Sequence, residues 1–343
     1  MESTRRPRLS PAIADLRRAV RELLPESGLV LVGLSGGADS LALAAATAFE
    51  APRAGLRAGA VIIDHGLQAG SARIAAAAAA QAAGLGLDPV LVQTVDVTDT
   101  AGDGPEAAAR TARYAAFDTA LEQTGAAAVL LGHTLDDQAE TVLLGIARGS
   151  GATSLHGMAP VTGRFRRPLL GIRRAQTRQA CLDAGLTAWS DPQNLDPRYA
   201  RVRARESVLP LLEAELGPGI AEALARTAVT LREDAAALDA LVPALLAGAV
   251  TAGESGTSVR VAALAAQPAA LRQRMIRTLA ADGFGAALER SHTLAVARLV
   301  THWHGQKALD LPGVRVERQG DMLIFSAARH TQNKGPFRSH GTS

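Results

Sequence analysis

The sequence predicts an α/β fold: a doubly wound parallel sheet, followed by a smaller helical domain with a short β tail. Three observations predict it. Four short Leu/Val/Ile-rich runs recur before residue 135, and each is followed by a stretch of helical length. The runs are continuously apolar rather than alternating, as expected of strands covered on both faces. Beyond Pro210 this alternation lapses, and helical patterning takes over until a hairpin-like ending.

Taken in order, the strands are expected at 29–34, 58–64, 89–95 and 126–132, and the helices between them at 39–50, 71–83, 105–124 and 135–148. The second helix is a nearly pure Ala run, and Ala is the best helix former. Further helices are expected at 221–246, 271–281 and 288–301, then strands at 314–318 and 322–326 about a Gln319-Gly320-Asp321 turn. The Gly217-Pro218-Gly219 break suggests a domain boundary. The expected division is 1–213, a nucleotide-handling domain; 214–326, mainly helical; and 327–343, a polar tail expected to be disordered.

Composition narrows the function classes. The 343 residues are 48% hydrophobic but only 3% aromatic, so the core is aliphatic and close-packed. One cysteine, Cys181, excludes an internal disulfide framework, a Cys-rich metal site and a CxxC redox pair. No signal-peptide core and no uninterrupted apolar span is present, so a cytoplasmic, membrane-free protein is expected. The net charge is only +3, yet 159–205 carries ten Arg against three Asp. Such a cluster suits a phosphate-rich partner.

The chemistry-bearing motifs fall at the predicted carboxyl ends of strands, where open sheets bind ligands. Ser35-Gly36-Gly37-Ala38-Asp39-Ser40 joins the first strand to its helix. Glycines there let backbone N–H groups approach an anion at the positive end of the helix dipole. The motif is neither GxxxxGK[ST] nor GxGxxG, and no lysine precedes Lys307. A carboxylate beside phosphate needs a bridging cation, which makes Asp39 a candidate Mg²⁺ ligand. Asp64-His65-Gly66-Leu67 ends the second strand. Glu106, Arg110, Arg113 and Tyr114 share one helix, where an Arg fork suits phosphate. Gly132-His133-Thr134-Leu135-Asp136-Asp137-Gln138-Ala139-Glu140-Thr141 ends the fourth strand. Thr134 and Asp137 fit a capping box. The helical spacing of Asp136, Asp137 and Glu140 lets at least two acids share a face. A divalent ion, a cationic amine or an exocyclic base amine would each suit them.

Ser-Gly-Gly-x-Asp-Ser resembles the pyrophosphate-binding loop of the PP-loop ATPases. Taken together with Asp-His-Gly-Leu, Glu-x-x-Ala-Arg-x-x-Arg-Tyr, Asp-Asp-Gln-Ala-Glu-Thr, Arg148-Gly149-Ser150-Gly151 and Arg167-Pro168-Leu169-Leu170, the sequence resembles the tRNA(Ile)-lysidine synthases. The likeness is strong over 28–212 and weaker beyond. One departure is Val202, where that family commonly has Asn.

The resemblance implies ligation of free L-lysine to the wobble cytidine of a CAU-anticodon tRNA(Ile), with ATP and Mg²⁺. It implies ATP binding by Ser35, Gly36, Gly37, Ala38, Asp39 and Ser40, with His65 and His133 lining the nucleotide pocket. Asp39, with Asp136 or Asp137, would hold Mg²⁺. Arg110 would position the target base, and Asp137 and Glu140 would hold the lysine ammonium. Arg113, Arg167, Arg201 and Arg205 would contact tRNA. Homodimer formation stays open. So do two alternatives, a tRNA thiolation enzyme on the same scaffold and a non-catalytic nucleotide- or RNA-binding module.

Overall fold

β1 (Leu29–Gly33) pairs in parallel with β2 (Arg57–Asp64) on one side and β4 (Ala128–Leu131) on the other. β3 (Val90–Thr94) extends the sheet past β2. β6 (Phe165–Arg166) extends it past β4, with β5 (Val161–Thr162) antiparallel at the edge. The strand order is β3-β2-β1-β4-β6-β5. The order therefore reverses between β1 and β4, which opens a ligand crevice at their carboxyl ends. The computed structural model describes residues 10–66, 70–95, 105–149, 155–189, 196–253 and 256–328. Leu67, Ser150, Gly151 and the tail from 329 onward lie outside them, as does the Glu106 side chain.

The period of two in a strand explains why the β1 run is apolar throughout. Val30 and Val32 enter a core shared with α1 (Pro11–Leu23), α2 (Ala38–Arg53) and α3 (Ser71–Gly84). Leu29 and Leu31 face the other way, onto Phe117, Ala120 and Leu121 of α4 (Pro105–Thr124). Ala12, Leu16 and Val20 form the buried stripe of α1 at fourfold spacing. In the Ala-rich α3, Ala75, Ala78 and Ala82 are the buried residues.

After β4 come α5 (Leu135–Ala147), the β5–β6 hairpin and α6 (Arg174–Asp183). A short α7 (Ala200–Arg203) then runs through a π-helical turn, Ala204–Val208, into α8 (Leu209–Leu216). Gly217, at φ 96°, ends α8 before α9 (Ile220–Leu246). The chain divides into two compact units, Met1–Leu231 and Arg232–Ser343, so the division falls within α9. The reason is local: Ala221 and Ala225 of α9 bury against Leu135, Ala139 and Leu209 of the first unit.

The second unit contains more strand than the sequence pattern predicts. Its sheet is five-stranded and antiparallel, in the order β7-β8-β11-β10-β9. The expected hairpin is present as β10 (Val314–Gln319) and β11 (Met322–Ala327). The additional strands are β7 (Val250–Gly253), β8 (Gly256–Arg260) and β9 (Leu309–Leu311). They are short, and most β7 side chains are exposed, so they carry little periodic apolar signal. α10 (Val261–Ala265), α11 (Ala269–Phe284) and α12 (Arg290–Thr301) complete a core that includes Leu264, Met275, Ile276, Val296 and Phe325.

Candidate active site

The loop after β1 is organised by its own hydroxyls. Ser40 Oγ donates to the Gly37 carbonyl at 3.0 Å and accepts from the Ser35 N–H at 3.1 Å. Ser35 Oγ lies 3.1 Å from Ser40 Oγ. Gly36 adopts φ 82°, a left-handed conformation that side chains disfavour. No side chain caps α2, whose N-cap is Gly37. Its first-turn N–H groups and dipole therefore form an anion cradle. At Gly132, a Cβ would come within 3.0 Å of the Ser40 backbone nitrogen, so glycine there lets the end of β4 close on this loop.

The N-terminus of α5 is the opposite case. Thr134 and Asp137 form the expected capping box. The Asp137 carboxylate accepts from the Thr134 N–H at 2.7 Å and from its hydroxyl at 2.8 Å. Gln138 clamps the distant Met158 backbone through two hydrogen bonds, at 2.6 and 2.7 Å. In this helix the motif serves structure as well as chemistry.

Beside it, α6 supplies side chains the sequence reading did not single out. Arg174 reaches three carboxylates: Asp137 at 2.8 Å, Glu140 at 3.2 Å and Asp39 at 3.5 Å. Thr177 donates its hydroxyl proton to Asp39. Arg205, on the π-helical turn, pairs with Glu140 at 2.7 and 3.0 Å and lies 3.6 Å from Asp137. Glu140 itself is fully buried. Asp39, Asp137 and Glu140 thus face two guanidiniums, and one negative charge is left over. Burial holds the Asp39 carboxyl above its ordinary value despite Thr177 and Arg174. For Asp137, burial is outweighed by Arg174 and the Thr134 donors, which together hold it low. The available sequence signal for Arg174 was the Arg173-Arg174 pair just after the Arg-Pro-Leu-Leu motif.

The other acid separates from this group. Asp136 accepts from Arg173 at 3.1 and 3.2 Å and from the Arg174 N–H at 2.7 Å. Arg173 also pairs with Glu222 on α9. Both Asp136 oxygens are engaged. Among the described residues, no three Asp, Glu, His or Cys side chains converge as an all-protein metal site would require. Mg²⁺ bound with phosphates needs only one or two carboxylates. Asp39, a quarter exposed at the start of α2, fits that role, whereas Asp136 has no open oxygen in this arrangement.

A cationic wall lies by the histidines. His65 Nε2 accepts from Arg113 Nε at 3.4 Å, and burial together with Arg113 holds His65 below its usual value. His133 is lowered to about 4, chiefly by burial, with Arg167, Arg110 and Arg201 adding to the effect. Both rings are therefore neutral at pH 7. The Nδ1 atoms of His65 and His133 are buried and have no hydrogen-bond partner among the described residues. Tyr114 OH accepts from Arg167 at 3.2 Å and from Arg110 at 3.5 Å.

Arg167, Arg201 and Arg205, expected at tRNA phosphates, each bond to groups within the chain. Arg167 is buried and also donates to the Ala159 carbonyl and Thr162, acting as an internal strut rather than a surface contact. Arg205 is committed to Glu140, and Arg201 reaches Thr141 at 3.3 Å. Val202, where the resembled family carries Asn, is buried between them in sequence, so an apolar side chain suits it. Residues 191–194 lie outside the described set.

A parallel sheet whose first strand feeds a Gly-Gly turn and an uncapped helix at the switch in strand order is the arrangement of the PP-loop class of ATP-using enzymes. A PP-loop domain model matches residues 11–212, and a TilS substrate binding domain model matches 260–323. The chain belongs to the tRNA(Ile)-lysidine synthase family, whose members are ATP-using ligases. It is 62% identical over 303 residues to the tRNA(Ile)-lysidine synthase of Leifsonia xyli subsp. xyli, covering 88% of this chain and 91% of that one. It is 53% identical to that of Thermobifida fusca, covering 93% and 98%. Among solved structures it is similar to the U34-tRNA thiolase NcsA from Methanococcus maripaludis. That likeness has a TM-score of 0.55 at 18% identity, covers 65% of this chain and 80% of that one, and concerns the fold alone. Among the described residues no helix is long and apolar enough to cross a membrane.

Proposed function

We propose that this chain uses ATP to join free L-lysine to C2 of the wobble cytidine of a CAU-anticodon tRNA(Ile), releasing AMP and pyrophosphate. One observation carries the reading. An uncapped helix N-terminus suited to phosphate lies beside a buried acid set suited to an amine, with Arg174 touching both. Residues 1–213 then hold the nucleotide chemistry, and 214–326 serve tRNA binding. The expected setting is the cytoplasm.

The C2 oxygen of cytosine is a poor leaving group. Transfer of AMP to that oxygen, with pyrophosphate departing, makes it a good one and leaves C2 electrophilic. The lysine amine then bonds to C2 as the C2–oxygen bond breaks and AMP leaves. The loop of Ser35, Gly36, Gly37, Ala38, Asp39 and Ser40 holds the departing phosphates through N–H groups fixed before the reaction. Mg²⁺, held by Asp39, would neutralise phosphate charge when bound. His65 and His133, both neutral, line the nucleotide side. Arg110 orients the base, and Arg113 lies nearby for tRNA phosphate. Asp137 and Glu140 hold the lysine ammonium. Bringing three reactants into line supplies much of the rate.

The test is incubation of the full chain with ATP, minor isoleucine tRNA and each radiolabelled amino acid. Lysine alone is expected to enter tRNA, with equimolar AMP release. Incorporation of another amino acid, or of sulfur, would overturn the reading. Asp39→Asn is expected to abolish ATP–pyrophosphate exchange while tRNA retention on filters persists. Undiminished exchange would remove Asp39 from the metal role.

A further inference from the structure

We infer that Arg174 couples the nucleotide end of the site to its amine end: its guanidinium shifts from Asp137 and Glu140 onto the triphosphate when nucleotide binds, and so opens that acid pair to the substrate ammonium. The inference rests on the reading of Asp137 and Glu140 as the amine-holding pair.

The geometry distinguishes Arg174 from Arg205. Arg205 bonds both Glu140 oxygens, at 2.7 and 3.0 Å, and makes no close contact with Asp39. Among the described residues, Arg174 is the one whose side chain joins the start of α2 to α5. Its Nε lies 3.5 Å from Asp39, and its terminal nitrogens lie 2.8 Å from Asp137 and 3.2 Å from Glu140. If it withdrew, Glu140 would keep Arg205. Asp137 would keep Thr134 on Oδ2, but Oδ1 would have only Arg205 at 3.6 Å. Its departure therefore exposes one carboxylate oxygen, Asp137 Oδ1, and one lone-pair direction of Glu140, a place for a single ammonium.

The backbone of Arg174 is held while its side chain turns. Its N–H donates to Asp136 at 2.7 Å, and α6 is tied to α2 through Thr177–Asp39 and the Cys181 thiol, which donates to the Ala38 carbonyl at 3.4 Å. A triphosphate in the α2 cradle offers the guanidinium a multiply charged, bidentate partner. The weakest of the present ion pairs, the 3.5 Å contact with Asp39, is the one next to that cradle. Linkage then requires reciprocity: nucleotide tightens lysine binding by the same factor by which lysine tightens nucleotide binding.

The experiment is equilibrium dialysis of radiolabelled lysine against the full chain, with and without Mg²⁺ and α,β-methylene ATP. Wild type is expected to bind lysine about tenfold more tightly with the analogue, within the usual range of site coupling. In Arg174→Met the factor falls to about one, because the shared cation is gone. A merely structural loss would weaken both ligands and leave their coupling intact. Arg174→Lys, charged but unable to span both ends, retains only part of the factor. Coupling that persists in Arg174→Met, or a wild-type lysine affinity indifferent to the analogue, would overturn the inference. If Arg174→Met does not fold by circular dichroism, wild type and Arg174→Lys decide. Wild type that ligates lysine to tRNA without coupling refutes this inference alone. Wild type that exchanges ATP with pyrophosphate but never binds or ligates lysine refutes the reading of the amine site.

Discussion

The backbone nitrogen of Ser40 lies 3.0 Å from the point where a Cβ on Gly132 would sit. The end of β4 and the start of α2 therefore touch backbone to backbone, and the phosphate loop is braced from behind by a residue 92 positions away in the chain. Backbone cannot yield as a flexible side chain can. Gly132→Ala is expected to cost about 1–3 kcal/mol of stability and to displace the loop. ATP–pyrophosphate exchange should drop more than the melting temperature alone explains. Wild-type exchange in a variant of unchanged stability would show that the contact is not limiting.

Glu140 is buried with both oxygens on arginines. Glu140→Gln keeps the shape and removes the charge, leaving Arg174 and Arg205 without their deepest partner. Asp39 and Asp137 still balance both guanidiniums, so the cost is that of charged hydrogen bonds made neutral, about 1.5–3 kcal/mol. Chemical denaturation should register the loss, and the apparent affinity for lysine should fall with it.

His133 supplies a pH dependence. Its folded value, about 4, lies below the unfolded value near 6.5. Below pH 6.5 the unfolded chain takes up a proton that the folded chain refuses, so stability falls as pH drops from about 6.5 to about 4 and levels off below that. The upper bound on this contribution is about 3.5 kcal/mol. Asp137 opposes the depression, while Arg167, Arg110 and Arg201 reinforce it. His133→Gln should flatten this part of the stability–pH curve when melting is followed side by side with wild type. A parallel curve in the variant would assign the acid sensitivity to other groups.

Cys181 is buried, donates to the Ala38 carbonyl, and is pushed up to about 11, mainly by burial. The thiolate is the reactive form. Folded protein at pH 8 should therefore resist a thiol reagent that labels it promptly in denaturant. Cys181→Ala should retain ligation, because a buried thiol of this kind packs as a small apolar group. Loss of activity with stability preserved would revive a sulfur-based mechanism.

Much of this protein was determined locally and could be read along the chain. The apolar runs specify a sheet covered on both faces, since β1 sends Val30 and Val32 one way and Leu29 and Leu31 the other. The Ser-Gly-Gly turn and the Thr134–Asp137 cap are short-range hydrogen-bond arrangements, so neighbouring residues suffice to encode them. β7 and β9 were not legible, because short exposed strands form on the hydrogen bonds of partners rather than on their own pattern. The same holds for the pairing of charges. Nothing in the spacing of Asp136 and Asp137 tells that one turns to Arg173 and the other to Arg174, or that Arg205 meets Glu140 rather than facing solvent. Electrostatic partners are chosen by distance in three dimensions, and only the packing of α6 and the π-helical turn against α5 brought those groups within reach.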